Sequence, residues 1–389
     1  MFLRTILNTA HRMVYPFLPI FARGLGVDIS TMSLLMTGRS LIGATSPLFV
    51  PIADRRGRKF GMLLGTVIFT LGVGLVAIYP NIWTLAIALL LAVLGKYLFD
   101  PSMQAYFGDR IPYAQRGTAL AITEVSWSMA FIVGVPVVGF LIDKFGWSAP
   151  FPFFTVLGLV IFFVIWRIIP DEDPHHELTS NSRDGYRAVF ASVPALAGIS
   201  IVMCASAGNE LINVIFGAWL EDSFGLRIAA LAGASAVIGI SESSGEGLVA
   251  FTTDRLGKPL ALTIGLVSNA LAAILLPFIG QTQVGALIGL FLFYITFEYT
   301  LVSHIPLMTE LVPSARATIL SLNITGHSLG RALGAFLAAI IYQRFGFLSV
   351  ALLAVVFNIA GLLALGIMQR KIKAEFGSST SEIQTREPE

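Results

Sequence analysis

The chain has 389 residues, 56% of them hydrophobic and only 12% charged, with a net charge of +2. Soluble domains carry about 25% charged residues, so this composition excludes a soluble enzyme, and so small a net charge gives a nucleic acid nothing to bind. The mean hydropathy of +0.81 fits a chain that is almost all membrane.

A spanning helix takes roughly 20 mainly apolar residues. Twelve such runs follow one another, near 3–22, 31–51, 60–79, 82–107, 116–141, 149–169, 190–218, 228–251, 260–279, 283–309, 316–341 and 347–368. The chain enters the first run directly, without a small-residue cleavage site, so no removable signal peptide is expected. The first span places Asn8, His11, Arg12 and Tyr15 on one helical face, and Pro16 and Pro19 predict a bend. Arg12 sits near mid-span, where a cavity or a carboxylate partner suits it better than lipid; the alternative is a shorter span starting after it. The second span carries Arg39 and the fourth carries Lys96 and Asp100 at i, i+4, spaced to pair. The fifth carries Glu124, Trp127 and Pro136. Residues 170–189 form the polar linker between two halves, 1–169 and 190–369. Its His175 and His176 have no metal-ligand spacing and read as a solvated loop, so no metal or other cofactor is expected.

In the second half the seventh span holds Asn209, Glu210 and Asn213, the eighth Glu242 and Glu246, and the tenth Glu298 and His304. The eleventh aligns Asn323, His327 and Arg331. Residues 370–389 read as a disordered polar tail. Cys204 stands alone, so there is no disulfide framework. Ten charged residues lie within spans 1, 2, 4, 5, 7, 8, 10 and 11, and none in 3, 6, 9 or 12. Keeping charge away from lipid sorts helices in this way, so every third helix is expected at the periphery and the other eight around a wet interior.

Seventeen Lys and Arg residues fall at the termini and after even-numbered spans, against Arg23, Lys144, Arg227 and Arg344 on the other side. The positive-inside rule then puts both termini in the cytoplasm. Asp54-Arg55-Arg56-Gly57-Arg58-Lys59 recurs as Asp254-Arg255-Leu256-Gly257-Lys258, two hundred residues on. Arg116 and Thr118 match Arg316 and Thr318 at the same offset, as Phe145-Gly146 matches Phe345-Gly346. The chain is therefore a duplicated membrane domain.

The Asp54 stretch resembles the loop signature of the major facilitator superfamily, with a weaker copy at Asp254, and Arg116-Gly117-Thr118-Ala119-Leu120 resembles that family's opening of the fifth helix. The resemblance implies an all-α fold of twelve transmembrane helices in two pseudo-symmetric six-helix bundles, with substrate bound between them and exposed to each side in turn. Pro136 and Gly139 fit the fifth-helix motif of proton-linked drug exporters, although Phe131, Val135 and Phe140 stand where glycines are usual. Val50 and Ala250 replace the glycine that usually precedes the loop signature's aspartate.

The candidate gate comprises Asp54, Arg55, Gly57, Arg58, Asp109, Arg116, Asp254, Arg255 and Gly257. Asp54 can accept charge-assisted hydrogen bonds and Arg58 can reach Asp109; a plain positive-inside anchor explains the arginines but not the repeated Asp and Gly. Intramembrane acids (Asp100, Glu124, Glu210, Glu242, Glu246, Glu298) outnumber the bases Arg12, Arg39, Lys96 and Arg331. Some acid therefore lacks a partner and can carry a proton. Glu124, Glu210 and Glu298 have no basic residue within a turn, while Glu242 is placed to pair with Arg39. Of the three, Glu124 ranks first, because it shares a helix with the Pro136 motif and faces the same way as Trp127, Ser128 and Phe131, and Glu210 ranks second. Arg12, Tyr15, Arg39, Lys96, Trp127, Asn213, His327 and Arg331 are the candidate substrate contacts.

Gly326-His327-Ser328-Leu329-Gly330 fits a serine-hydrolase elbow but lies in a helical run, so it is read as chance. The expected protein is a monomeric multi-pass protein of a bacterial-type plasma membrane and not an enzyme. It uses protons to export a small lipophilic or cationic molecule, or, alternatively, to take up an organic anion on Arg12, Arg39 and Arg331. A receptor or intramembrane enzyme would have no use for a doubled gate.

Overall fold

A computed structural model describes residues 1–48, 56–112, 123–170 and 182–384, apart from the side chains of Ser182, Arg183, Asp254 and 375–384. The first crossing is made by α1 (Phe2–Arg12) and α2 (Val14–Leu25), which meet at Met13. Pro16 has no N–H for the carbonyl of Arg12, and the helix breaks where that bond is missing. The second, α3 (Ile29–Ala44), starts on Asp28, whose carboxylate accepts a 2.8 Å hydrogen bond from the Thr31 N–H. It stops at Ala44, short of the expected residue 51, because Pro47 restricts Ser46 and diverts the chain into a 3₁₀ turn over Ser46–Leu48.

Next come α4 (Arg58–Ile78), α5 (Ile82–Arg110), α6 (Thr123–Phe145) and α7 (Pro150–Ile168). Asn81 and Thr84 cap α5 reciprocally. A π turn widens α6 over Ala130–Gly134, just before Pro136, where an α-helical hydrogen bond would be lost anyway. The linker region contains a short helix, α8 (Ser182–Ala191). The second half comprises α9 (Val193–Phe224), α10 (Ile228–Leu256), α11 (Lys258–Ile279), α12 (Gln283–Leu311) and α13 (Arg316–Gln384). Gly346 turns α13 with φ 76°, so it crosses twice. Two six-helix bundles result, with twelve crossings in all.

The tail expected to be disordered instead extends α13 to Gln384. Lys371, Lys373, Ala374 and Glu375 are good helix formers, and Ile372 packs on the apolar cluster of Leu307, Leu365 and Met368.

α4, α7, α11 and the last crossing lie outermost, as the charge pattern predicts. Their outward faces are apolar, with Leu71, Val160, Ile264 and Leu352 exposed. The repeat is visible in the backbone: Gly57 and Gly257 begin α4 and α11 with φ of 90° and 82°. A side chain is strained at such φ, which explains why both copies of the motif keep glycine. Within membranes, close helix packing depends on small residues. Gly326, Gly330 and Gly334 let α13 press against the α9 backbone at Ile199, Met203 and Ala207.

The bundles meet chiefly at the end away from the chain termini. Arg23 pairs with Glu221 at 2.8 Å, and the Ser30 hydroxyl donates to Gln343 at 2.8 Å. The Gly217 backbone of α9 lies directly on the Pro16 carbonyl of α2, where any Cβ would collide. α6 and α10 touch at Gly139 and Ala232, and again nearer mid-membrane at Ser128 and Gly239. Toward the termini, Gln104 is exposed and Glu124 half-buried. Among the described residues the space between the bundles is thus closed at the far end. At the end that holds the termini α3 and α13 still touch, with the Thr325 hydroxyl donating to the Ala44 carbonyl at 3.2 Å, and the space is reached on the side of Gln104 and Glu124.

Candidate functional site

The polar face of α1 and α2 organises the centre. Asn8 donates to the Ser126 hydroxyl at 3.2 Å and accepts from Lys96 Nζ at 2.6 Å. Arg12, only 3% exposed, grips Glu242 through both guanidinium nitrogens at 2.6 and 2.7 Å, joining the N-terminal bundle to the C-terminal one. Its guanidinium lies 3.5 Å from the Phe131 ring centre and 4.3 Å from that of Trp127. A protein cation therefore already covers these aromatic faces. The arginine lies inside the protein, so the shorter-span alternative fails.

One turn on, the Tyr15 hydroxyl donates to Glu210 at 2.8 Å and accepts from Arg39 at 2.5 Å and from Arg331. Arg331 also pairs with Glu210 through Nε at 3.0 Å. Tyr294 and Asn213 complete the wall: the tyrosine donates to Asn213, which in turn donates to Glu210. A cavity of about 60 Å³ remains between Arg12, Tyr15, Trp127, Asn213, His327 and Arg331 on its rim, with Glu242 and Glu298 also lining it. Arg39 and Arg331 line a second, neighbouring cavity. Lys96 lines neither and turns to Asn8 and Asp100 instead.

The acids sort differently from expectation. Asp100 pairs with Lys96, as the i, i+4 spacing predicts, and also with Arg4 at 3.3 Å. Glu124 pairs with Arg4 at 2.8 Å and Glu210 with Arg331, so neither lacks a basic partner and the reason for ranking them first disappears. Glu242 does pair between the halves, but with Arg12 rather than Arg39. Glu246 and Glu298 make no ion pair or hydrogen bond among the described residues. They stand close together, because the Glu298 side chain packs against Gly245.

Of the candidate gate, Asp54, Arg55 and Arg116 lie outside the described residues, as do the side chain of Asp254 and the linker histidines. Arg58 reaches Asp109 at 3.3 Å, joining α4 to α5 within one bundle. Its counterpart two hundred residues on is Lys258 with Glu310, which joins α11 to α12. Arg255 is exposed at the end of α10.

The profile of the Major Facilitator Superfamily matches residues 1–309 and again 199–385. The chain belongs to that superfamily. An uncharacterized MFS-type transporter of Bacillus subtilis, YwfA, is 26% identical over 358 residues, spanning 90% of this chain and 86% of that protein. Multidrug resistance protein 2 of Bacillus subtilis is 22% identical over 343 residues, spanning 85% and 84%. In fold, this facilitator resembles a peptide transporter POT solved with sulfate (TM-score 0.77, 16% identity, 95% and 92% covered). It also resembles a bacterial homolog of the lysosomal transporter Spinster in an inward-facing, unoccupied conformation (TM-score 0.75, 15% identity, 94% of each chain).

In this facilitator the elbow-like Gly326–Gly330 stretch lies within α13. Ser328 is buried there 3.3 Å from the Tyr97 hydroxyl, and no strained turn presents it. Sequence reasoning missed Arg4 as a member of the central polar network and Glu310 as the partner of Lys258. Arg4 was detectable, because it extends the Asn8–Arg12–Tyr15 face by one turn.

Proposed function

We propose that this facilitator is a proton-coupled secondary transporter of a bacterial plasma membrane, with Glu246 and Glu298 as its proton-carrying acids and with both termini, and the open end, in the cytoplasm. The observation that carries this reading is that, among the described residues, these two carboxylates beside the central cavity have no cationic partner. Protonating Glu210 or Glu242 would take the carboxylate from a buried arginine, at a cost of about 3–5 kcal/mol. Asp100 and Glu124 share Arg4, and Asp100 also holds Lys96, so both are already engaged with cations. Protonating Glu246 or Glu298 strands nothing, so these acids can gain and lose a proton within the transport cycle.

Export of a small lipophilic molecule is the cargo reading supported by the multidrug relatives. Carriage of an organic anion is a second reading, favoured by Arg39, which is buried with no carboxylate in ion-pair distance among the described residues. In proteoliposomes, with a transported compound first identified by counterflow, Glu246→Gln combined with Glu298→Gln should abolish pH-driven accumulation while retaining exchange at equal pH. Exchange needs no net proton movement. Undiminished accumulation in the double variant would remove both residues from the coupling mechanism.

A further inference from the structure

We propose that the small cavity enclosed by α1, α3, α5 and α13 binds an anionic group of the cargo, a carboxylate or a phosphate, with Arg39 as its fixed cation. The cavity measures about 20 Å³, and His11, Arg39, Ser40, Tyr97, Ser328 and Arg331 converge on it. That space holds about one water-sized group, which is room for an anion's oxygen beside Arg39 and not for a whole molecule.

Arg39 is 1% exposed, yet both its partners are neutral: the His11 carbonyl at 2.7 Å and the Tyr15 hydroxyl at 2.5 Å. Among the described residues no carboxylate lies within ion-pair distance of it. Guanidinium carries five N–H donors in a planar fork suited to carboxylate and phosphate oxygens. A buried, uncompensated guanidinium is costly to fold, and a bound anion removes that cost.

Arg331 does not cancel this charge. It shares Glu210 with Tyr15, so the cluster of Arg39, Arg331 and Glu210 keeps one net positive charge. His11 Nδ1 is shielded from solvent and has no hydrogen-bond partner, which leaves a further polar atom at the same cavity to meet a ligand. A cation placed here would face two guanidinium groups.

The lining comes from both bundles, with Tyr97 of α5 3.3 Å from Ser328 of α13. An anion bound here therefore touches both moving parts, and the polar, positive end of the site faces the unpaired acids of α10 and α12 across the central cavity.

This inference rests on the inter-bundle space being the transport site, but its test needs neither a proton gradient nor transport. Purified full-length protein in detergent is titrated with benzoate and with inorganic phosphate, with benzyl alcohol and benzylamine as neutral and cationic controls, and thermal unfolding is followed. At least one anion should raise the midpoint in a saturable way while neither control does; the anion that acts separates carboxylate from phosphate. Arg39→Gln should weaken that anion's binding by about tenfold or more, the loss of one charge-assisted contact. Without ligand, Arg39→Gln should unfold no earlier than the wild type, since it removes an uncompensated charge. Binding in detergent involves no proton movement, so failure of the coupling reading leaves this result standing. Equal stabilisation by the controls, no stabilisation by either anion, or unchanged anion binding in Arg39→Gln would overturn the proposal. Should Arg39→Gln fail to fold, Arg39 is structural and the proposal falls.

Discussion

The contact between Arg12 and Glu242 offers the sharpest test of how the bundles are held together. Both residues are 3% exposed, and the two hydrogen bonds measure 2.6 and 2.7 Å. Glu242→Leu leaves the guanidinium buried without its partner, and breaking a buried pair in this way costs about 3–5 kcal/mol. With roughly 2.1 cal/mol/K of unfolding entropy per residue, a 389-residue chain loses about 0.8 kcal/mol per degree, so the midpoint should fall by about 4–6 °C. Helices persist in detergent and reduce that entropy, so this is a lower bound. Arg12→Met should do comparable damage. The double variant, with neither charge left, should fall short of the summed losses by about 1–3 kcal/mol. Thermal unfolding of the four proteins in one detergent closes the cycle. Strictly additive losses would mean that the two side chains do not interact, and the inter-bundle ion pair would have to be abandoned.

Two further outcomes are expected. In a Cys204→Ala background, cysteine at Gln104 or Glu124 should react at once with a water-soluble thiol reagent. Cysteine at Glu210 should react only while the protein cycles, and cysteine at Leu71, Val160, Ile264 or Leu352 not at all; uniform labelling would refute the division into eight lining and four outer helices. Asp54→Asn should slow transport without impairing membrane insertion or substrate binding, whereas a wild-type rate would leave that motif as a simple charge anchor.

Much of the architecture was legible because lipid imposes strict rules on sequence. Helical length and the confinement of buried charge to certain spans follow from a solvent that cannot hydrate a polar group. The polar face of the first crossing was legible for the same reason. Its partners were not. Arg12 and Glu242 are 230 positions apart, and Tyr15 and Glu210 are 195 apart. Helical periodicity reports only on neighbours within a turn or two. Glu124 looked unpartnered because its arginine comes from α1, and Arg4 looked like a boundary charge because it stands at the start of a span. The early stop of α3 at Pro47 and the π turn before Pro136 were signalled by those prolines, but a proline does not reveal which local geometry will absorb the missing bond.

The seat of Gly217 on the Pro16 carbonyl gives the molecule something like a bearing. Backbone meets backbone there, so the distance between α2 and α9 is fixed by peptide groups rather than by side chains that can change rotamer. Two rigid bodies that touch through so thin a spacer can roll about it while their remote edges travel much farther. The open end then gains its width from leverage, with little deformation of either bundle. An added methyl group at Gly217 would act as a shim: it would lift the bodies apart at the closed end and reset the angle at which the whole structure comes to rest.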